Sequence, residues 1–200
     1  MSPIEFLAVI AGFLCVYFTI KENIWCWPTG LLQVTLYIFV FYQAKLYSDV
    51  ILHVIYVAMN IYGWYFWLHG GKSRKEAHIT RLSSAWLFTC VFGSTVGTLL
   101  LGWLMSTRTD AALPYADAFT TVFSLVAQWL LSRKKIENWH FWIVVDVVAI
   151  GVYFAKDLYL TGVLYIAFLI MATAGLLRWR SSFAALPGEE TKISDLEPAV

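Results

Sequence analysis

SAWLFTCVFGSTVGTLLLGWLM, Ser84–Met105, contains no Asp, Glu, Lys or Arg. Wound as an α-helix it is roughly 33 Å long at 1.5 Å per residue, enough to cross a hydrocarbon core about 30 Å thick. A helix that is apolar all round must be buried in protein or lipid. At this length the segment reads as a transmembrane span. Six further apolar stretches of similar length flank it. Ile4–Ile20, Trp27–Ala44 and Asp49–Leu68 precede it; Tyr115–Leu131, Asn138–Ala155 and Tyr159–Leu177 follow it. The connectors KENIWC, KLYS, GGKSRKEAHITR, STRTDAALP, SRKKIE and KDL are short and polar. No stretch alternates apolar with polar over about ten residues, as a barrel strand would. The expected fold class is an all-α membrane protein with seven transmembrane helices.

Composition points the same way. Of 200 residues, 60% are hydrophobic and 14% are charged, against roughly 25% charged in soluble domains. So little charge cannot solvate a surface, and the surface is expected to face lipid. Ten tryptophans suit the two membrane interfaces, where one end of the ring is dry and the other wet. A net charge of +1 and the lack of a basic cluster interleaved with aromatics offer nothing to nucleic acid. Cys15, Cys26 and Cys90 form no CxxC pair, and His53, His69, His78 and His140 are scattered. Neither a metal site nor a cofactor is therefore expected. Met1-Ser2-Pro3 lacks a basic start and no small-residue cleavage site follows, so the first segment is read as a retained helix, not a cleaved signal.

Lys and Arg are unevenly shared between the two ends of the spans. Lys45, Arg108 and Lys156 fall on one side. Lys21, Lys72, Arg74, Lys75, Arg81, Arg133, Lys134, Lys135, Arg178, Arg180 and Lys192 fall on the other. The positive side stays in the cytoplasm, which puts the N-terminus outside and the C-terminus inside. Residues 1–180 form the transmembrane domain. Residues 181–200, with Pro, Gly, Ser and charge, are expected to be a disordered cytosolic tail. A weak internal repeat is visible. Lys21-Glu22-Asn23-Ile24-Trp25 echoes Ile136-Glu137-Asn138-Trp139, with Glu and Asn offset by 115. Tyr47, Gly63 and Trp67 match Tyr159, Gly175 and Trp179 at an offset of 112. Copies at about 4–68 and 115–177, joined by a linker helix at about 84–105, give a 3+1+3 plan with both copies in one orientation. Parallel repeats of this kind build the SWEET carriers.

Polar side chains inside spans are costly and need a reason. Trp139, Trp142, Asp146 and Tyr153 share one stripe of the sixth helix. Asp146 is the one acid in the middle of any span, about 12 Å along the axis from Asn138. It either faces a cation-binding cavity or is buried against neighbouring helices. His53, Tyr56, Asn60, Trp64 and Trp67 form a second stripe on the third helix. There His53 could be a packing residue and Asn60 a hydrogen bond between helices. The second helix offers Gly30, Gln33, Tyr37 and Phe41 on one face, and Pro28 stands in its first turn, where proline is tolerated. Asp117, Thr120, Thr121, Ser124 and Gln128 lie on the fifth helix, where hydroxyls commonly glue helices together and Asp117 complements the helix dipole. Aromatic rings beside a carboxylate suit a flat cationic heteroaromatic ring, held by stacking and cation–π attraction. Amides and hydroxyls would serve sugar hydroxyls. A nucleoside with a cationic base fits all three requirements.

WCWPTGLLQVTLYIFVFYQAKLYSD (Trp25–Asp49), NIYGWYFW (Asn60–Trp67) and KIENWHFWIVVDVV (Lys135–Val148) resemble corresponding stretches of the PnuC family of bacterial vitamin transporters. The resemblance runs from about Ile4 to Trp179. It implies a SWEET-like 3+1+3 fold, uptake of nicotinamide riboside by facilitated diffusion, and a homotrimer in the lipid bilayer. It also implies a cytosolic kinase that phosphorylates the vitamin and traps it. Trp139 and Trp142 match the family's WxxW motif at the substrate site, Asn60 opens the matching NIYGW motif, and Gln33 and Asp146 stand at polar positions. The expected substrate-binding set is Trp139, Trp142, Asp146, Asn60, Gln33, His53, Tyr37, Trp64, Thr121 and Ser124. Nicotinamide riboside carriers tend to have Asn at the position of Asp146 and Gln at that of His53. A thiamine carrier, with its cationic thiazolium, is therefore the alternative within the family, and riboflavin is carried by related members. A membrane enzyme would need a nucleophile with a base, or a metal cluster, and no HExxH, GxSxG or carboxylate pair within a span is present. A membrane scaffold would not need polar residues at similar depth on several helices.

Overall fold

A computed structural model describes residues 3–43, 45, 47–71 and 76–185. These residues form seven α-helices: α1 Pro3–Ile20, α2 Cys26–Gln43, α3 Tyr47–His69, α4 Ser84–Arg108, α5 Pro114–Ser132, α6 Asn138–Ala155 and α7 Tyr159–Ala184. No strand occurs among the described residues; Thr80 and Lys135 make one isolated bridge. All seven expected spans are helical. Helix α7 runs past its expected end and takes in Ser181 to Ala184. Most of the expected tail lies outside the described residues, as do Lys72, Arg74 and Lys75.

Five helices, α1, α3, α4, α6 and α7, are long and apolar enough to cross a membrane. The other two are α2 and α5, of 18 and 19 residues. They fall short in hydropathy because they carry polar side chains: Gln33 on α2, and Asp117, Thr120, Thr121, Ser124 and Gln128 on α5. Only 11% of the α4 span is buried, against 39% for α6. Phe88, Phe92, Leu99, Leu100 and Trp103 of α4 are exposed, as a lipid-facing or subunit-facing helix requires.

The chain divides into two compact units. The first holds Met1–His78 with Ser132–Lys134. Here α1 packs on α2 and α2 on α3. Trp27, 1% exposed, meets Trp67 edge-on at 5.3 Å and 87°. The Trp27 ring lies where a Cβ on Gly63 would stand, so only glycine lets α3 approach this closely. Lys134 folds onto the same corner. Its Nζ donates to the Ala77 carbonyl at 2.9 Å, lies 3.5 Å from Glu22 Oε2 and stands 4.7 Å over the Trp67 ring.

The second unit holds Ile79–Leu131 with Lys135–Val200. Helix α6 packs on α7, with Trp139 edge-on to Trp179 at 5.5 Å and 90° and seated against Gly175. Leu82, Phe123, Ala127, Leu130, Phe141 and Val145 form its core, with Trp142 packed on the edge. Asp117 binds Lys156 through both carboxylate oxygens at 2.9 Å.

The chain repeats its own geometry at an offset of 112. Among the described residues, the four non-glycine residues with positive φ are two such pairs: Glu22 (55°) with Lys134 (54°), and Lys45 (59°) with Asp157 (57°). Asn23 N–H donates to the Phe18 carbonyl and Lys135 N–H to that of Leu130, both at 2.9 Å. Cys26 to Asn23 and Trp27 to Ile24 recur as Asn138 to Lys135 and Trp139 to Ile136. The offset of 115 that matches Glu22-Asn23 to Glu137-Asn138 by letter is not the one the backbone keeps. The conformational partner of Glu22 is Lys134, because the turn geometry, not the side chain, recurs.

Candidate functional site

In the first unit, Tyr37 and Phe41 are one helical turn apart on α2 and stack at 5.5 Å and 17°. His53 of α3 meets Phe41 edge-on at 4.9 Å, with Tyr37 and Tyr56 at 5.8 and 5.7 Å. Its Nδ1 lies 2.9 Å from the Asp49 carbonyl, one turn back on its own helix. An Nδ1 donating there leaves Nε2 as an acceptor. Deeper in α3, Asn60 is 4% exposed; its Nδ2 donates to the Tyr56 carbonyl at 2.8 Å and its Oδ1 sits over Gly30. Gln33 is half-buried, with its amide against Gly12 of α1. Structure thus brings Tyr37 and His53 together and places Gln33 and Asn60 at small-residue contacts. Trp64, one turn beyond Asn60 on α3, is 36% exposed.

In the second unit, Asp146 is 5% exposed, eight residues past the start of α6 and nine before its end. It has no hydrogen-bonding or ionic partner among the described residues. A carboxyl group at that depth without a partner is expensive to hold. Trp142, one turn earlier on the helix, is half-buried. Trp139 differs from its neighbour in kind. It is 2% exposed, its ring is engaged by Trp179 and Gly175, and its Nε1 is buried without a partner. This packing role was not apparent from its place in the motif. Trp27 has the same surroundings, down to the unpartnered Nε1. On α5 the Thr121 hydroxyl donates to the Asp117 carbonyl and the Ser124 hydroxyl to that of Thr121, both at 2.9 Å. Hydroxyls bonded back to their own helix still have acceptor capacity for a neighbour.

Sequence reasoning overlooked three polar contacts at helix ends. Lys134, by sequence a cytoplasmic charge, is 8% exposed and holds Ala77 and Glu22. Glu137, 5% exposed, accepts the Leu82 N–H at 2.9 Å. Asp117, read as a dipole complement, is the partner of Lys156. No spacing rule links residues 39 or 57 positions apart in the chain.

Long apolar helices that hold amides, hydroxyls and an acid at mid-depth define a multi-pass membrane transporter. Residues 2–181 match the model of the family described as Nicotinamide mononucleotide transporter, and the chain belongs to that family, the PnuC transporters. It is similar to the nicotinamide riboside transporter PnuC of Escherichia coli (strain K12), 29% identical over 91% of this chain and 87% of the relative. It is also similar to the riboflavin/roseoflavin transporter RibM of Streptomyces davaonensis (strain DSM 101723 / JCM 4913 / KCC S-0913 / 768), 23% identical over 85% of this chain and 81% of that one. Among solved structures it resembles the crystal structure of the Vitamin B3 transporter PnuC, with a TM-score of 0.70 and 30% identity, covering 89% of this chain and 80% of that one. Relatives and solved structure alike are named as transporters, not enzymes.

Proposed function

We propose that this protein imports nicotinamide riboside across the bacterial inner membrane by facilitated diffusion. The observation that carries the reading is Asp146, a buried mid-span carboxyl without a protein partner among the described residues, one turn from the half-buried Trp142. A pyridinium ring supplies the positive charge that the carboxylate lacks and the flat face that the indole prefers. Within the second unit we assign Trp142, Asp146, Thr121 and Ser124 to the substrate; within the first unit, taken by itself, the candidates are Gln33, Tyr37, His53, Asn60 and Trp64. Trp139 acts with them by fixing α6 against α7 and so setting the height of Trp142 and Asp146. The N-terminus faces outward and the C-terminus inward. The excess of Lys and Arg on the C-terminal side supports this, and the ion pairs Glu22 with Lys134, Arg81 with Glu137 and Asp117 with Lys156 each join residues of one side, as alternating spans require. The protein works as a homotrimer, its 3+1+3 helices arranged as in the SWEET carriers, and a cytosolic kinase retains the vitamin by phosphorylation.

The same observation fits thiamine, whose thiazolium is also a flat cation. Proteoliposomes loaded with unlabelled vitamin and presented with radiolabelled nicotinamide riboside, thiamine or riboflavin separate the choices. Saturable exchange of nicotinamide riboside, unchanged by a proton ionophore, is expected. Exchange of thiamine alone would transfer the site to that vitamin, and ionophore sensitivity would remove the passive mode.

A further inference from the structure

A second polar cluster lies at a helix-end corner of the second unit, away from the mid-span residues. Arg81 precedes α4, His140 stands in the first turn of α6 and Arg180 near the end of α7. The three line one cavity of about 240 Å³ with Ile136, Glu137 and Phe183. Arg180 Nη2 donates to His140 Nε2 at 3.0 Å, which fixes the imidazole as an acceptor on that nitrogen and leaves the other guanidinium N–H groups to face elsewhere. Among the described residues Glu137 supplies the one carboxylate of this lining. One oxygen accepts the Leu82 N–H at 2.9 Å; the other lies 3.7 Å from Arg81 Nε, too far for a hydrogen bond. The Arg81 side chain is 61% exposed. Two guanidinium groups against one shielded carboxylate leave the cavity positive.

Arg81 also lines a neighbouring cavity of about 360 Å³ with Leu82, Ser83 and Ser84. That cavity opens at the start of α4, where the helix dipole favours an anion and the Ser83 hydroxyl caps the Trp86 N–H at 3.4 Å. The volume of the first cavity is below the roughly 300–1,000 Å³ that encloses a drug-sized ligand. It has room for a head, not for a whole nucleotide. Phe183 and Ile136 give it an apolar wall. A small anion attached to an apolar body meets all of these features.

We propose that this cavity is a phosphate site for the headgroup of an anionic phospholipid, gripped by Arg81 and Arg180 with the lipid chains leaving past Phe183. The pairing of guanidinium with phosphate is planar and multidentate, which arginine provides and lysine does not. The site is independent of which vitamin is carried.

The test is native mass spectrometry of the full chain from micelles holding equal phosphatidylglycerol and phosphatidylcholine. Wild type should retain phosphatidylglycerol with a preference of about thirtyfold, the order set by two basic side chains at an anionic surface. Arg81→Gln with Arg180→Gln should abolish the preference, and Arg81→Lys with Arg180→Lys should keep part of it. Millimolar inorganic phosphate should not displace the lipid. If phosphate displaces it, or raises the Tm of wild type but not of the Gln variant, the site binds soluble phosphate and the lipid assignment falls. If wild type shows neither lipid preference nor phosphate response, the whole proposal fails. A folded Gln variant that keeps the wild-type preference overturns the assignment; if that variant loses its helical circular dichroism, the Lys variant carries the test, and an unchanged preference there overturns it.

Discussion

On the proposed reading, Asp146 and Trp142 meet the substrate, while Trp139 packs α6 on α7. Asp146→Asn keeps shape and hydrogen-bonding capacity and removes the charge. Binding of a cationic vitamin should weaken by roughly 1.5–3 kcal/mol, the range for a hydrogen bond to a charged group. Binding of a neutral, reduced-ring analogue should change far less, and calorimetry with both ligands gives the ratio. An unaltered ratio would mean that Asp146 serves packing alone. The tryptophans should separate by readout. Trp142→Ala should cost binding, about 0.5–2 kcal/mol for a lost cation–π contact, with little change in Tm. Trp139→Ala should cost about 3–5 kcal/mol of stability, as for other large-to-small core changes, because its ring fills the contact with Trp179 and Gly175. Equal loss of binding in both, with Tm unchanged in both, would restore Trp139 as a stacking residue. The motif gave both tryptophans one role because letters at a spacing of three say which helix face they share, and nothing of what covers each.

Helix pairs in the two units rest on the same device, a tryptophan lying over a glycine and edge-on to a second tryptophan. Gly63→Ala and Gly175→Ala should each destabilise by about 1–3 kcal/mol, the usual cost of overpacking, since the new methyl group has only the Trp27 or Trp139 ring to enter. Thermal unfolding in detergent measures both, and a neutral Gly63→Ala would show that α3 can draw back from α2. The glycines and second tryptophans were legible as a repeat at 112. The first tryptophans were obscured by the competing match at 115, because Glu22 and Glu137 share a letter while Glu22 and Lys134 share a turn. Lys134 adds a pH signature outside the spans. Burial pushes its ammonium below the usual value of 10.5, and Glu22 offsets this in part. The unfolded chain therefore holds this proton more tightly, and stability rises with pH from the lowered native value up to about 10.5. Lys134→Met should flatten that alkaline rise in Tm; an unchanged slope would assign it to other groups.

At the scale of the whole chain, hydropathy and the 1.5 Å helix rise located all seven helices, because lipid demands that backbone groups bond within each helix. Contacts at helix ends, such as Asp117 with Lys156, were hidden, since they depend on how helices pack and not on local pattern. The polar helices α2 and α5 raise a question that the termini cannot answer. Five spans and seven spans are both odd, so either number puts the two termini on opposite sides. The loops differ. If α2 crosses, Lys21 and Lys45 lie on opposite faces; if α5 crosses, so do Asp110 and Arg133. Polar residues on these two helices are tolerable if they face protein or a solute path and not lipid. Both helices are then expected to cross, with Lys45 and Asp110 outside. With Cys15, Cys26 and Cys90 replaced by Ala, a single cysteine at Lys45 or Asp110 should react with a membrane-impermeant maleimide in intact cells. A cysteine at Lys21 or Arg133 should react only after the cells are opened. Labelling of Lys21→Cys and Lys45→Cys from the same side would remove α2 from the membrane. The corresponding result for Asp110→Cys and Arg133→Cys would remove α5, and with it Thr121 and Ser124 from any path at mid-depth.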